Sequence, residues 1–573
     1  MRISITKSKN FEFIYLIKDF YSHGSRTTKI IEKLGTIDDL SAKMNCSRDQ
    51  VIAWARDYAK KKTAEETREN NDISVSYSQK ALIQPDKNRL FHCGYLFLQS
   101  LYCQLRLPHV CRMIRRRHKI EFDLDAILSD LVFTRILKPS SKASSYETAK
   151  RFLEPPKYAL HDIYRALSIL AEESDYIQAE VYKNSHFVTP RNNAVLYYDC
   201  TNYFFEIEQE DDLRRYGKSK EHRPNPIVQM GLFMDGHGLP LAFDLFEGNR
   251  NEQTSLKPLE QKILHDFDFS RFIVCTDGGL GSENNRYFNS IGGRSFIVTQ
   301  SLKKLKKDDL KSALSNQGWK RLADDCPVDL DSVKKEACKD TLYYKEEPYT
   351  TKKLHQRMII TYSPKYAAYQ QKIREDQIQR ARKMIQNGNI KRVRKNPNDP
   401  ARFIEKAALT DQGEIADKTF YYLSEEAIKK EAEFDGYYAV CTDLMDDDAK
   451  DILKVSEGRW EIEESFRIMK TDFKSRPVYL HRVDRIKAHF LTCYLSLLFY
   501  RLIEKKLENR YTASAIIDTL RTMMVLEQDA GYLPAYTRTS ITDDLHKTFG
   551  FRTDYQIMSK KKMRSIIKET KER

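Results

Sequence analysis

Ala194-Val195-Leu196-Tyr197-Tyr198-Asp199-Cys200-Thr201-Asn202-Tyr203-Phe204-Phe205 is an apolar, aromatic-rich run with one charge in its middle. That composition predicts a strand. A carboxylate inside such a strand is costly unless it is paired or holds a cation. Reading outward, Pro226 to Met234 is a second strand, Asp235-Gly236-His237-Gly238 a hairpin turn, and Leu239 to Phe246 the returning third strand. Glu252 to Phe267 follows as a helix, with Leu256, Leu259, Ile263 and Leu264 at helical spacing. Phe272 to Thr276 is a fourth strand, and Asp277 stands at its C-terminal end before Gly278-Gly279. Ser282 caps another helix, and Arg294 to Thr299 is a fifth strand.

Three antiparallel strands, helix, strand, helix, strand is the order of a ribonuclease H-like fold, which a final helix should complete. About 145 residues intervene first, rich in Lys and Arg. They hold strand-like pieces (Thr341 to Tyr344, Arg357 to Tyr362, Tyr437 to Cys441), a polar helix from Ala367 to Gln386, and the basic loop Lys391-Arg392-Val393-Arg394-Lys395. An interval of that length should fold on its own, so it reads as an inserted domain. The completing helix is Gly458-Arg459-Trp460-Glu461-Ile462-Glu463-Glu464-Ser465-Phe466-Arg467-Ile468-Met469-Lys470. At about 100° per residue, Arg459, Glu463, Phe466 and Lys470 share one face, while Ile462 and Met469 form a flank that can lie against a core. Ile486 to Leu507, strongly apolar on one side, should pack under the sheet; its apolar stretch from Phe490 to Tyr500 is too short to span a bilayer. The predicted class is therefore α/β: a ribonuclease H-like core, a mixed five-stranded sheet with helices, interrupted by a strand-containing insertion and preceded by a mainly helical region.

The expected segments are 1–80, 81–190, 191–300, 301–445, 446–510 and 511–573. In the first, residues 11–34 read as a hairpin turning at Ser22-His23-Gly24-Ser25. Thr36 to Met44 and Arg48 to Lys61 then read as two helices around Asn45-Cys46-Ser47. These are helix-turn-helix proportions, shared by many ordinary helical pairs; the second helix carries Arg48, Gln50, Arg56 and Lys60. Residues 63–80 are polar and lack periodicity, as a linker would. Residues 81–190 are read as a helical DNA-binding region and 511–573 as a helical tail. Arg112 to Lys119 is a dense cationic run, either a solvated helix face or a phosphate contact.

The chain has 573 residues and a formal net charge of +15, an excess that fits a polyanion partner, nucleic acid before membrane. No CxxC pair and no Cys/His cluster at zinc spacing occurs, and Cys200, Cys275, Cys441 and Cys493 sit within apolar runs. A reducing, cytoplasmic setting is expected, and Met1-Arg2-Ile3-Ser4 opens no signal peptide.

Asp199 and Asp277 end neighbouring central strands in this topology, and Glu463 comes from the following helix. Three oxygen ligands without His or Cys suit hard Mg²⁺, which keeps positions open for water and phosphate. Two such ions about 4 Å apart can activate a nucleophile and stabilise a leaving oxygen in phosphodiester displacement. Asp244 lies in a strand without a partner, and Asp235 belongs to a turn, so both compete less well.

With Tyr198-Asp199-Cys200-Thr201, Thr276-Asp277-Gly278-Gly279 and the 458–470 helix in view, residues 100–510 resemble the DDE transposases of the IS4-type insertion-sequence superfamily, nearest the IS1634-like branch. The signature of that family, Tyr-x2-Arg-x3-Glu-x6-Lys, is matched by Arg459, Glu463 and Lys470. Its Tyr position falls on Ser456, which keeps a hydroxyl but is shorter. Gly248 to Glu252 and Arg485 to His489 also look like family features. The resemblance implies an enzyme that binds the terminal inverted repeats of its own element in double-stranded DNA and pairs them as a homodimer. Such an enzyme cleaves the ends with two Mg²⁺ ions, for which Mn²⁺ substitutes, and joins the 3′-OH ends to target DNA, close to the nucleoid of a prokaryote. It implies Asp199, Asp277 and Glu463 as catalytic and metal-holding residues, and Arg459, Lys470, Arg467 and Ser456 as DNA contacts. Some relatives hold a flipped base on an aromatic of the insertion, for which Trp319 is a candidate beside its reading as a core residue. Two other readings remain: a catalytically silent, transposase-derived DNA-binding protein, and a ribonuclease H-like structure-specific nuclease.

Overall fold

The computed structural model describes residues 1–573 apart from 9–10, 23–24, 72–77, 81, 268, 270, 336–339, 389–397, 410–414 and 573. The basic loop Lys391 to Lys395 and the hairpin tip His23-Gly24 therefore lie outside the described residues. The chain divides into two compact units. Met1–Arg89, Leu526–Pro534 and Asp554–Arg564 form one, and the remainder forms the other.

In the first unit, β1 (Arg2–Lys7), β2 (Glu12–Ser22) and β3 (Ser25–Thr36) make an antiparallel sheet, followed by α1 (Ile37–Met44) and α2 (Arg48–Asn71). Thr36 caps α1 by accepting from the Asp39 amide at 3.1 Å. Asn45 ends it in the left-handed conformation, φ 50°. Ile14, Ile37, Val51 and Ala55 form the small core that joins sheet to helices. The expected hairpin thus gains β1 as a third strand. The helix also runs on through residues read as linker: Lys60 to Glu69 lacks apolar periodicity but is rich in strong helix formers.

The second unit opens with β4 (Leu90–His92) and six helices: α3 (Tyr95–Gln104), α4 (Leu107–His118), α5 (Leu124–Leu137), α6 (Lys142–Ala149), α7 (Leu160–Glu172) and α8 (Ser174–Ser185). Then come β5 (Val195–Phe204), β6 (Ile227–Asp235), β7 (Pro240–Glu247), α9 (Leu256–Asp266), β8 (Ile273–Thr276), α10 (Glu283–Asn289) and β9 (Ser295–Thr299). These are the elements expected from the sequence, within a few residues at each end. β5, β6 and β7 run antiparallel, and β8 and β9 add parallel to β5.

The sheet does not stop at five strands. β10 (Lys320–Arg321), β11 (Tyr343–Thr350), β12 (His355–Tyr362) and β15 (Tyr437–Thr442) come from the long interval and continue it past β9. The result is one nine-stranded mixed sheet, in the order β10-β11-β12-β15-β9-β8-β5-β6-β7. The interval also holds α11 (Lys307–Leu314), α12 (Leu330–Lys335), α13 (Pro364–Gln386), a ribbon of β13 (Ile404–Leu409) with β14 (Ile415–Leu423), and α14 (Glu425–Ala432). Trp319 is 1% exposed in the core beneath β11 and β12, and its indole N–H donates to the Ser315 carbonyl at 2.9 Å. It is a core residue, with no face offered to a ligand.

α15 (Ala449–Glu457), α16 (Trp460–Thr471) and α17 (Val483–Lys506) close the layer over the sheet. α17 is long and apolar enough to cross a membrane, and 94% of its apolar window is buried inside the protein. It is buried on all sides rather than one, packing on α5 and α7 as well as on the sheet, where the Tyr494 hydroxyl donates to the Leu241 carbonyl at 2.8 Å. Arg501 of α17 clamps α16: its guanidinium donates to the Glu461 carbonyl at 3.0 Å and the Ser465 hydroxyl at 2.9 Å, and pairs with Glu464 and Glu504. Residues 511–573 carry, besides helices, strands at Met524–Gln528 and Gly531–Pro534.

Candidate active site

Strand alternation sorts β5 into two faces. Leu196, Tyr198 and Cys200 enter the core shared with α9. Tyr197, Asp199, Thr201 and Tyr203 face the other way, toward the 449–506 helices. The Tyr197 hydroxyl donates to the Val455 carbonyl at 3.1 Å, the Thr201 hydroxyl accepts from Lys470 Nζ at 2.7 Å, and the Tyr203 ring packs on Phe490 with centroids 4.8 Å apart. Asp199 therefore looks toward the helix that carries Glu463.

Asp277 reaches the same place by register. β5 and β8 are parallel neighbours with Tyr198 opposite Thr276, so Asp199 and Asp277 are the next residues on adjoining strands. Gly278 must be glycine here: a Cβ would stand 2.8 Å from the Thr299 carbonyl of β9. At Gly458, the α15–α16 junction, a Cβ would run into the Tyr197 hydroxyl and require that side chain to move. That junction sets Arg459 at the start of α16. Its Nη1 lies 3.5 Å from Asp277 Oδ1 and 3.8 Å from Glu463 Oε1, tying the strand acid to the helix acid.

The electrostatics follow from these neighbours. Burial pushes the Asp199 carboxyl up to about 6; Lys220 and the Cys200 amide oppose this, and Asp277 adds to it. Burial also works against the charge of Lys220, but Asp199 and then Glu252 outweigh it and hold Lys220 above its ordinary value. Burial brings Lys470 down to about 8, helped by Lys220. Arg459 stays above its ordinary value because Tyr438, Asp277 and Glu463 outweigh its burial. The half-buried strand acid thus feels two cations, Lys220 and Arg459, as well as Asp277. No group of three His, Cys, Asp or Glu side chains is drawn together into a metal cage among the described residues; Arg459 stands between two of the acids instead.

Of the expected DNA contacts, Arg459 and Lys470 lie beside the acids. Arg467 does not: it is exposed and pairs with Glu464 at 3.2 Å. Ser456 sits on α15, only 6% exposed, with its hydroxyl 3.2 Å from that of Tyr438. Tyr438 of β15 also reaches the Thr299 hydroxyl at 2.8 Å. Sequence reasoning missed Tyr438, Lys220 and Glu221, the last of which pairs with Lys470 at 3.6 Å. Alternation along β15 marks Tyr438 as facing away from Tyr437, but nothing local says which strand lies beside it. Among the competing acids, Asp235 is fully buried and paired with Arg191, and Asp244 accepts from the Leu245 amide at 2.8 Å.

No curated protein matches the chain. Among solved structures, one described as a cryo-EM structure of the piggyBac transposase synaptic complex with hairpin DNA is similar at 9% identity and TM-score 0.33, over 84% of this chain and 83% of that one. No residue is transferred from so loose a likeness. A family model described as the transposase DDE domain matches residues 204–499, beginning just after Asp199 and enclosing Asp277 and Glu463. That match spans more than half of the protein, and the chain belongs to the transposase DDE domain family.

Proposed function

We propose that the protein is an insertion-sequence transposase of the IS4 type, IS1634-like branch, with a ribonuclease H-like core. On this reading it acts as a homodimer on the inverted repeats of its element in the cytoplasm of a prokaryote. The observation that carries the reading is the placement of Asp199 in β5 beside Asp277, the residue that follows the parallel strand β8, with Arg459 joining Asp277 to Glu463. The division into core segments 191–300 and 446–510 around the 301–445 interval is part of the same proposal, with that interval extending the core sheet.

The donor set fits a hard divalent cation. All three candidate ligands are carboxylates, and Asp277 adds to the upward shift of the Asp199 carboxyl beside it. Asp199, Asp277 and Glu463 would hold Mg²⁺, two ions in all, with Mn²⁺ able to substitute. Bound there, the ions supply a Lewis acid for water and for the leaving oxygen. The chain's own residues do the positioning. Arg459 is a fork-shaped donor suited to a phosphate and stands between Asp277 and Glu463, where it would orient the DNA backbone. Lys470, held by Thr201 two residues from Asp199, offers a second cation to the same backbone.

Cleavage of labelled DNA bearing the flanking repeats, with Mg²⁺ and with EDTA, tests the reading. Metal-dependent 3′-OH ends at the repeat boundary are expected. Glu463→Gln should lose cleavage by about 10²–10³-fold with binding unchanged, because it replaces a ligand oxygen by an amide. Tight repeat binding without cleavage under any metal would instead identify a silent binding protein.

Tyr438 supplies an aromatic hydroxyl next to Ser456, where the family signature has its tyrosine. The proposal gives it the phosphate-facing role of that residue, delivered from a strand rather than from the helix. Tyr438→Phe keeps the ring and removes only the hydroxyl. Its expected effect is a loss of roughly 3–15-fold in cleavage, the worth of one neutral hydrogen bond, and Ser456→Ala should cost less. An unchanged rate for Tyr438→Phe would remove it from the site.

A further inference from the structure

Far along α16 from Arg459, the chain turns at Lys474 (φ 45°) and runs through Arg476 to Leu480 past the start of α6. Between them lies a cavity of about 260 Å³. Its lining includes Arg135, Lys142, Lys474 and Arg476, together with Ser140 and His489, and no Asp or Glu. Such a lining is unusual, because buried cations are normally paired.

Lys142 is the clearest case. It is 4% exposed, and its ammonium nitrogen has no hydrogen-bond partner; Ser140 Oγ is likewise unpartnered, and so is Arg135 Nε, whose two Nη atoms donate to the Phe473 and Ser140 carbonyls at 3.2 Å. The titratable groups that face Lys142 are Arg135 and the Cys493 thiol, which burial keeps neutral; neither is a carboxylate. Burial lowers the Lys142 amine to about 7, and Arg135 adds to the shift. His489 cannot supply a counter-charge: burial, Arg135 and Lys142 drive it well below its ordinary value, and its Nε2 faces the Ser475 carbonyl at 3.1 Å. Arg476 alone is already matched, by Glu221. The remaining cations and the free hydroxyl call for an anion with several acceptor oxygens. The N-terminal residues of α6, at the cavity wall, favour the same charge.

We propose that this cavity is a phosphate-binding site, in which a phosphate group is held by Lys142, Ser140 and Arg135 with Lys474 at the rim. Two sources share that chemistry: a backbone phosphate of DNA and a free phosphate compound. The Arg476–Glu221–Lys470 chain of contacts leads from the cavity to Thr201, so an occupant on this side is linked to the catalytic face. The site stands without the transposase reading, and its test needs no cleavage.

The test is calorimetric titration of the full chain with inorganic phosphate at pH 8 in EDTA, ionic strength held constant with chloride. Saturable binding is expected, with uptake of up to about one proton per site as Lys142 becomes charged, read by repeating the titration in buffers of different ionisation heat. Saturating phosphate should raise the melting midpoint by about 2 °C or more. Lys142→Met should weaken phosphate at least ~10-fold, the loss of one charge-assisted contact. Ser140→Ala, a milder change that keeps the fold, should weaken it severalfold. Phosphate binding abolished by saturating duplex DNA assigns the site to the DNA backbone; binding that survives assigns it to a free phosphate compound. No saturable heat above the chloride control, or equal affinity in wild type and both variants, overturns the proposal.

Discussion

Asp199→Asn should reduce DNA cleavage by about 10³-fold while leaving the affinity for DNA within roughly threefold. The side chain keeps its size, and one oxygen can still accept the Cys200 amide that Asp199 Oδ1 receives at 2.7 Å. What goes is the negative charge. Asp199 is the only one of the three acids set within a strand, acted on by Lys220 and by Asp277 of the neighbouring strand end. A cation placed among the three carboxylates would rely on it most, since Glu463 is on an exposed helix face and can turn away. The change should not destabilise the fold. Burial already disfavours the charged form of Asp199, and the neighbouring Asp277 does so further, so the neutral amide removes a penalty rather than a bond. The melting midpoint of Asp199→Asn should therefore equal or exceed that of the wild type. Cleavage that persists at the wild-type rate would sink the assignment of this strand as catalytic; a lowered midpoint would mean that the loss of rate reports misfolding.

The sequence made Asp199 legible because a lone charge in an aromatic strand has few physical explanations. Asp277 was legible for a related reason, standing where an apolar strand gives way to two glycines. Periodicity put Arg459, Glu463 and Lys470 together on α16, and their side chains do share the side of the helix that faces β5 and β8. The rest of the site depends on pairings that sequence distance hides. Tyr438 reaches Thr299 and the site only because β15 pairs antiparallel with β9, whose residues lie 141 to 145 positions before their partners. Strand composition says that a residue is on a face, never which strand is next door. Lys220 and Glu221 come from a polar loop without period, and only the fold brings them over Asp199 and Lys470. The same limit explains the sheet: three strands of the long interval, β11, β12 and β15, were visible, but β10, the β13–β14 ribbon and the continuation of the core sheet were not. In α2 the error ran the other way, because apolar periodicity was given more weight than helix propensity in a segment with little core to face.

Asp235→Ala should be the most destabilising single change at an acid in this sheet, at about 3–5 kcal/mol. Asp235 ends β6 and pairs with Arg191, and both side chains are 0% exposed. Its Oδ1 also accepts the His237 and Leu239 amides of the following turn, each at 2.9 Å. Truncation leaves a buried guanidinium that still donates to the Ser185 hydroxyl at 3.0 Å and the Pro240 carbonyl at 3.0 Å, but has lost its counter-charge. It also strips two turn amides of their acceptor. For a unit of this size the expected drop in melting midpoint is roughly 3–5 °C, measured by calorimetry. Asp235→Asn should fall between, since one carbonyl oxygen can still serve the turn. Replacing both partners by apolar residues, Arg191→Met with Asp235→Leu, should recover much of the loss, because no charge is then left in the core. The pair is far enough from the chemistry to separate stability from activity: Asp235 lies opposite Leu196, at the other end of β5 from Thr201 and Lys470. At a temperature where the variant is folded, its cleavage rate per folded molecule should match the wild type. A midpoint unchanged by Asp235→Ala would show that the pair is not buried as described. A rate that falls in step with Asp199→Asn would move Asp235 from the scaffold into the site.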